Sequence, residues 1–266
     1  MKITVITVCY NSVGTLPTAM ESVLAQHGTD VEYVVVDGGS ADGTTDLLRA
    51  WEAKFAATGR IIFRWVSERD RGMYDAINKG IAMATGDVVG ILNADDMLES
   101  PGTLMHVEEA FCHKGHNENI DAIYADVRFV KNDLNTTVRY YSAKCWKPWM
   151  LQWGKMPPHP SVYIRRELFD KYGLYKLGYD ISADYELLIR YLRSAKLKTR
   201  YLDESLVRMR LGGKSTRGWR SNLKLNQEIV RGNRENGYFC CLPMLMPKYL
   251  FKVFEFILPR LGFGHR

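Results

Sequence analysis

IIFRWVSERDRGMYDAINKGIAMATGDVVGILNADD, residues 61–96, reads in one pass as strand, helix, strand and polar stop. Ile61 to Ser67 is a short β-branched and aromatic run. Arg71 to Ala84 sets Ile77 and Ile81 on one helical face. Asp87 to Leu92 is a second apolar run, ended by Asn93-Ala94-Asp95-Asp96. Upstream, Lys2 to Cys9 alternates Ile, Val and Thr as a buried strand does. A turn at Asn11–Gly14 and a helical pattern from Thr15 to Gln26 follow. Val31 to Val36 is another buried strand, stopped by Asp37-Gly38-Gly39, and Ser40 to Thr44 opens a helix reaching Lys54. Apolar strands alternating with helices imply an α/β fold, a mostly parallel sheet with helices on both faces. Right-handed crossovers put every strand's C-terminal end on one edge, and ligands bind outside it. Asp37, Asn93, Asp95 and Asp96 all fall at that edge.

Neither G-x-x-x-x-G-K-[ST] nor a G-x-G-x-x-G after the first strand is present, so phosphate is not cradled by those routes. Carboxylates stand there instead, which suits a hard divalent cation carrying a diphosphate. Downstream, Ala122 to Tyr141 reads as two strands joined at Lys131-Asn132-Asp133. Trp146 to Pro160 has no period and reads as an irregular loop over the site. Ser161–Arg165 reads as a strand, Glu167–Tyr172 as a short helix and Asp184–Arg193 as a helix.

With 266 residues, 25% charged and 46% hydrophobic, the chain is neither disordered, collagenous nor a polytopic membrane protein. Five cysteines without C-x-x-C spacing argue for a reducing compartment. The first apolar run is too short and interrupted for a signal peptide, so the expected location is cytoplasmic. The net charge of +6 is uneven: from Ser205 onward it is +9, leaving −3 for the body. Such a tail suits an anionic partner: phosphate, nucleic acid or acidic lipid. Tyr238 to Phe263 is apolar but broken by Lys248, Lys252, Glu255 and Arg260, and Pro247 and Pro259 bracket too few residues to span a bilayer. A basic amphipathic helix lying in a membrane surface is the expectation, with docking on the protein's own core or on a second copy, as a homodimer, as the other reading. Gly212 to Arg217 reads either as a basic loop whose backbone amides and Lys214 or Arg217 clamp pyrophosphate or as a linker. Cys112 to His116 reads as solvated surface rather than a zinc site.

TVITVCYNS, VVVDGGSADGT, SERDRGMYDAINKGIAMATGDVVGILNADD and ISADYELLIR, in this order, resemble the inverting family 2 glycosyltransferases. Bacterial enzymes that build exopolysaccharide, O-antigen and colanic-acid-type chains are the nearest in look. The resemblance covers residues 1–215: a nucleotide-sugar half, 1–100, and an acceptor half, 101–215, before a C-terminal helical segment, 216–266. It implies a GT-A fold, a nucleotide-sugar donor with a UDP-sugar favoured, and Mg2+ or Mn2+. The implied acceptor is a growing glycan or a polyprenyl-diphosphate-linked one, met at the cytosolic face of the inner membrane, with no nucleic acid involved. By the same resemblance, Tyr10 and Asn11 hold the base and Asp37 bonds the base or ribose. Glu68, Asp70, Asp75 and Lys79 surround the nucleotide and pyrophosphate. Asn93-Ala94-Asp95 stands where the family has D-x-D, so the metal rests on Asp95, helped by Asp96. Asp184 matches the catalytic base of the E-D motif, with Ala183 replacing the Glu.

The chemistry needs a base for the acceptor hydroxyl. Asp184 and Glu186, two apart on a helix, point to different sides, so only one faces the site. One base without a paired nucleophile fits a single displacement with inversion. His159, between prolines, either touches acceptor or phosphate or is structural. A sugar-nucleotide pyrophosphorylase is the rival enzyme, but its Gly-rich N-terminal phosphate loop is missing. A nucleic-acid-binding module acting through the basic tail is the rival outside enzymology, and no recognised motif supports it.

Overall fold

Val31 to Val36, six consecutive apolar or aromatic positions but one, can only be a strand covered on both faces, and the sheet is built around it. The structure is a computed structural model and describes residues 1–112, 119–211 and 218–247. The first half is β1(Lys2–Cys9), α1(Leu16–Leu24), β2(Asp30–Asp37), α2(Thr44–Thr58), β3(Ile61–Ser67), α3(Met73–Met83) and β4(Val88–Ile91). These four strands are parallel in the order β3-β2-β1-β4, with Cys9 level with Asp37 and Asp37 level with Ser67. The register brings three strand ends to one edge, as the alternation of elements predicts.

The second half adds β5(Met97–Leu98), α4(Thr103–Cys112), β6(Ala122–Val130), β7(Thr137–Tyr141), β8(Tyr163–Arg165), α5(Glu167–Tyr172), α6(Ala183–Leu188), β9(Thr199–Arg210) and α7(Gly218–Glu235). The sheet continues as β4-β8-β6-β9-β5, with β7 on β6. Here β8 is antiparallel to both neighbours while β6 and β9 are parallel. The whole is a largely parallel, curled mixed sheet. β4 and β8 approach closely at Gly90, where a Cβ would lie 2.2 Å from the Tyr163 ring.

Two apolar layers flank the sheet. One holds Leu16, Met20, Leu48, Phe55 and Leu104 under α1, α2 and α4. The other holds Tyr74, Ile77, Leu168, Leu187 and Ile229 under α3, α5, α6 and α7. Each such side chain stabilises the fold by about 1.5–3 kcal/mol. The buried Glu32 accepts from Thr4 Oγ1 at 2.6 Å, Thr85 N at 2.7 Å and Arg64, tying β1, β2 and β3 together inside the sheet. The helix expected over Asp184–Arg193 splits, with a π-helical turn at Ile189–Ser194 after α6. The loop over Trp146–Pro160 contains 3-10 turns at Pro148–Trp153 and His159–Ser161. α7 belongs to the segment read as a tail, yet it packs on α6, and its Ile229 is buried in the core. The amphipathic stretch after Pro247, the loop with Lys214 and most of the Cys112–His116 cluster lie outside the described residues.

Candidate active site

The edge of β1, β2 and β3 is organised by Asp37. Its Oδ2 accepts from Gly39 N at 3.2 Å, Ser40 N at 2.9 Å and Ser67 Oγ at 2.6 Å, and its Oδ1 from Ser40 Oγ and from Cys9 Sγ at 3.6 Å. Burial raises its carboxyl, but the Ser40 and Ser67 bonds outweigh that and hold it below the ordinary range. The sequence reading has Asp37 bond the base or ribose; here both oxygens are committed to shaping the loop. Asn11, at φ +49° where Asn is tolerated, closes the same loop. Its N donates to Ser40 Oγ at 2.7 Å and its Oδ1 accepts from Ala41 N at 3.0 Å. Asp42 accepts from Thr44 N at 3.0 Å and Val13 N at 3.1 Å, so it opens α2 as an Asx turn.

Above this loop Tyr10 is 62% exposed. A Cβ at Gly38 would stand 2.5 Å from Asp70 Oδ2 and 3.4 Å from the Tyr10 ring, so Tyr10, Gly38 and Asp70 converge. Asp70 Oδ1 is used by Gly72 N at 2.8 Å, while Oδ2 faces the gap. Asp75 is held by Arg71, through N at 3.0 Å and the guanidinium at 3.0 Å, and Arg71 keeps its carboxyl below the usual range. Lys79 pairs with Glu68 at 2.7 Å and donates to the Arg69 carbonyl at 3.1 Å. The structure thus brings Tyr10, Asn11, Asp37 and Asp70 together. It gives Asp75 and Lys79 partners within their own segment.

The turn after β4 separates its two acids. Asp96 is buried, accepting from Asn93 Nδ2 at 2.7 Å and Arg210 N at 3.0 Å. Burial first, and then the Asp95 charge, push its carboxyl up to about 7. Asp96, expected to help hold the metal, turns inward and ties the turn to β9. Asp95 is partly exposed and its carboxylate has no bond or ion pair among the described residues. Asn93 keeps its amide oxygen uncommitted among the described residues. No cluster of three or more His, Cys, Asp or Glu able to hold a metal occurs among the described residues.

At the start of α6, Asp184 and Glu186 part company. Glu186 is fully buried, ion-paired with Arg190 at 2.9 Å and Lys176 at 3.0 Å, and accepts from Asn236 Nδ2, just beyond α7, at 3.1 Å. Asp184 has no cationic partner among the described residues. The Tyr74 hydroxyl lies 2.6 Å from the Ile181 carbonyl and 3.3 Å from Asp184 Oδ1. With one proton to donate, it serves the carbonyl better and leaves Asp184 weakly bonded. Burial pushes the Asp184 carboxyl up from its ordinary value, with His159 and Tyr74 pulling the other way. Burial in turn lowers the His159 imidazole, which bonds the Tyr175 hydroxyl at 2.7 Å. Tyr175 stacks on Tyr74, ring centroids 5.8 Å apart.

The loop leading into α6 is clamped by Glu228 from α7. Its carboxylate accepts from Asp180 N at 2.9 Å, Ile181 N at 3.0 Å, Ser182 N at 2.9 Å and Ser182 Oγ at 3.0 Å. Sequence reasoning missed Tyr74, Tyr175 and Glu228. Tyr74 lies inside the SERDRGMYDAIN motif and was within reach; Glu228, on a helix with no motif, carried no signal.

Known proteins share this architecture. Over 192 residues the chain is 34% identical to the PGL/p-HBAD biosynthesis glycosyltransferase of Mycobacterium bovis, covering 72% of this chain and 70% of that protein. An uncharacterised glycosyltransferase of Nostoc is 30% identical over 230 residues, 80% of this chain and 66% of its own. Among solved structures, S. aureus TarS 1–349 in complex with UDP-GlcNAc matches with a TM-score of 0.63 at 16% identity, covering 87% of this chain and 66% of that one. The mannosyltransferase PcManGT of Pyrobaculum calidifontis, in complex with GDP-Man and Mn2+, matches with 0.64 at 21% identity, covering 88% and 63%. This chain thus spans less than two thirds of either solved chain, and at these identities the likeness shows the GT-A fold alone. The glycosyl transferase family 2 profile matches residues 4–173, well over half the chain, and the protein belongs to that family.

Proposed function

We propose that the protein is an inverting, metal-dependent glycosyltransferase. It moves a sugar from a nucleotide-diphosphate sugar, UDP favoured, to a lipid-linked or growing glycan at the cytosolic surface of the inner membrane. The observation that carries the reading is the contrast between Asp184 and Glu186. Glu186 is neutralised by two cations, whereas Asp184 has no ion pair among the described residues, is partly buried and is raised above its ordinary pKa. A raised pKa makes the stronger general base. Asp184 takes the acceptor hydroxyl's proton while that oxygen attacks the anomeric carbon and the nucleoside diphosphate leaves from the opposite face. One base and no paired nucleophile give inversion.

Tyr10 offers its exposed ring to the base, and Asp70 Oδ2 beside Gly38 is the acceptor group open to it. Asp37 and Asn11 serve the donor by fixing this loop. Asp95 and the Asn93 amide oxygen are two hard donors on one turn. They suit Mg2+ or Mn2+, which keeps its other positions for diphosphate and water. Bound there, the ion would supply charge neutralisation to the departing diphosphate. The nucleotide sugars in complex with TarS and PcManGT, UDP-GlcNAc and GDP-Man, support the donor class, and the biosynthetic relative in Mycobacterium supports a glycolipid-type acceptor. Among the described residues no helix is long and apolar enough to cross a membrane, so contact with lipid would be peripheral.

A panel of nucleotide sugars with Mn2+ tests the donor, since a ligand at 100 times its Kd stabilises by about 2.7 kcal/mol. Product stereochemistry then tests the mechanism by NMR of the anomeric proton: an α-linked donor must give a β-linked product. Retained configuration, or no stabilisation by any nucleotide sugar, contradicts the reading.

A further inference from the structure

Two segments distant in sequence meet beside α6. Gln152 Nε2, in the turn Pro148–Trp153, donates to the Phe239 carbonyl at 2.6 Å, and Cys240 Sγ lies 3.4 Å from the Gln152 carbonyl. Arg193 joins them, 3.8 Å over the Tyr238 ring and 2.6 Å from Gln152 Oε1. Beneath, Leu151, Cys240 and Leu245 are buried. Facing outward are Trp149, 56% exposed, Trp153, 43%, and Phe239, 71%, with Leu242 and Met246 alongside. These are the exposed Trp and Phe side chains among the residues whose burial is described. Polar-tipped or broad aromatic rings gathered at one place are what a membrane boundary favours.

The charge pattern agrees. From Leu134 to Arg166 there is no Asp or Glu, but Arg139, Lys144, Lys147, Lys155, Arg165 and Arg166. From Asn236 to Phe254 there is again no acid, and Lys248 and Lys252 follow directly on the exposed Met246. Lys147 is exposed beside Trp149. We infer that this two-segment surface is the one seated in the headgroup layer of an anionic lipid membrane, with Trp149, Trp153 and Phe239 at the acyl boundary and Lys147 on lipid phosphates. A second copy is the poorer occupant, because a two-fold contact would set the exposed Lys147 and the acid-free stretches 134–166 and 236–254 against their own copies. The chain after Pro247 is also basic, with Lys248, Lys252, Arg260 and Arg266 against Glu255, so it offers no complement either. The inference rests on the membrane-surface reading above and gives it a location. The Tyr185 hydroxyl donates to the Leu151 carbonyl, so the turn that carries Trp149 and Trp153 is bonded to the start of α6.

Flotation with phosphatidylcholine vesicles, with and without phosphatidylglycerol, tests the assignment on the full chain. The native protein should float with the anionic vesicles and be released in part by salt. Trp149→Ser, Trp153→Ser and Phe239→Ser combined should weaken binding by about tenfold or more while thermal stabilisation by the donor nucleotide stays unchanged. Lys147→Glu, an exposed single change, should weaken it severalfold and decides the matter if the combined variant does not fold. Unchanged flotation of both variants, with loss on Lys248→Glu and Lys252→Glu, would place the contact in the tail alone; it overturns this surface while the membrane reading stands. No flotation of the native protein on either vesicle overturns both. A native dimer that the combined variant dissociates, without vesicle binding, assigns the surface to a second copy and also overturns the proposal.

Discussion

The proposed donor edge and the proposed base side are built by opposite means. At the donor edge, Asp37 bonds Gly39, Ser40 and Ser67, and Asn11 bonds Ser40 and Ala41, so adjacent strand ends and their own turns make the loop. On the base side, Asp184 depends on Tyr74, 110 residues away, on His159, and on a loop held by Glu228, 46 to 48 residues downstream. A site made by neighbouring turns is preformed once the sheet exists. A site made by three separate segments is sensitive to changes far from the chemistry, because a small misplacement of a base is costly in rate.

The largest effect that would break this division lies at the turn proposed to hold the metal. Asp95→Ala should abolish metal-dependent transfer, a loss of about 10²-fold or more, with the melting temperature unchanged, since the carboxylate has no partner among the described residues. Full turnover of the folded variant would remove Asp95 from the metal site. Next comes Glu228→Gln, which keeps the side chain's shape but weakens four bonds to the α6 entry loop. Turnover should fall about tenfold with donor affinity intact, and stability by about 1–3 kcal/mol. A loss of stability alone would make Glu228 a structural residue only. Because a structural role would not move a titration, the pH profile of turnover should also shift in this variant.

Smaller effects sharpen the comparison. Gly38→Ala pushes a methyl against Asp70, so donor affinity should fall about threefold to tenfold, ~1 kcal/mol, while turnover at saturation holds. Equal donor affinity would place the base elsewhere than between Tyr10 and Asp70. The smallest concerns pH. Asp184 is raised above the ordinary Asp value of about 3.9, so the acid limb of kcat/KM should lie above that pH. Tyr74→Phe removes a bond to the charged form and should move the limb up by several tenths of a unit. For stability the sign is opposite. Folded Asp184 keeps its proton to higher pH than the unfolded chain does, so its contribution declines as pH rises from the unfolded pKa through the folded one.

The same division decided what the sequence revealed. β1 to β4 and their helices were legible to within a few residues because continuous apolar runs and local turns define them. The loop built by Asp37 and Asn11 was legible as a location, but not the fact that both Asp37 oxygens would be spent on it. Asp95 and Asp96 look alike in sequence; only Arg210 N, arriving from β9, turns Asp96 inward. Asp184 and Glu186 were separable only as pointing apart, and Lys176 and Arg190 settle which is neutralised. β9 went unread because TRYLDESLVRMR scatters five charges, Arg200, Asp203, Glu204, Arg208 and Arg210, without a two-residue period and shifts register opposite Asp126. α7 was read as tail, since its apolar face is narrow and its partners lie on α6.

The most direct measurement is donor affinity and turnover side by side for Asp184→Asn. The account predicts that the nucleotide sugar binds with Mn2+ as tightly as to the native protein, because the donor edge owes nothing to α6. Turnover should fall by about 10²-fold or more, the scale of a lost general base. Weakened donor binding with unchanged turnover would show that Asp184 holds the donor instead, and the division of labour between the two regions would be wrong.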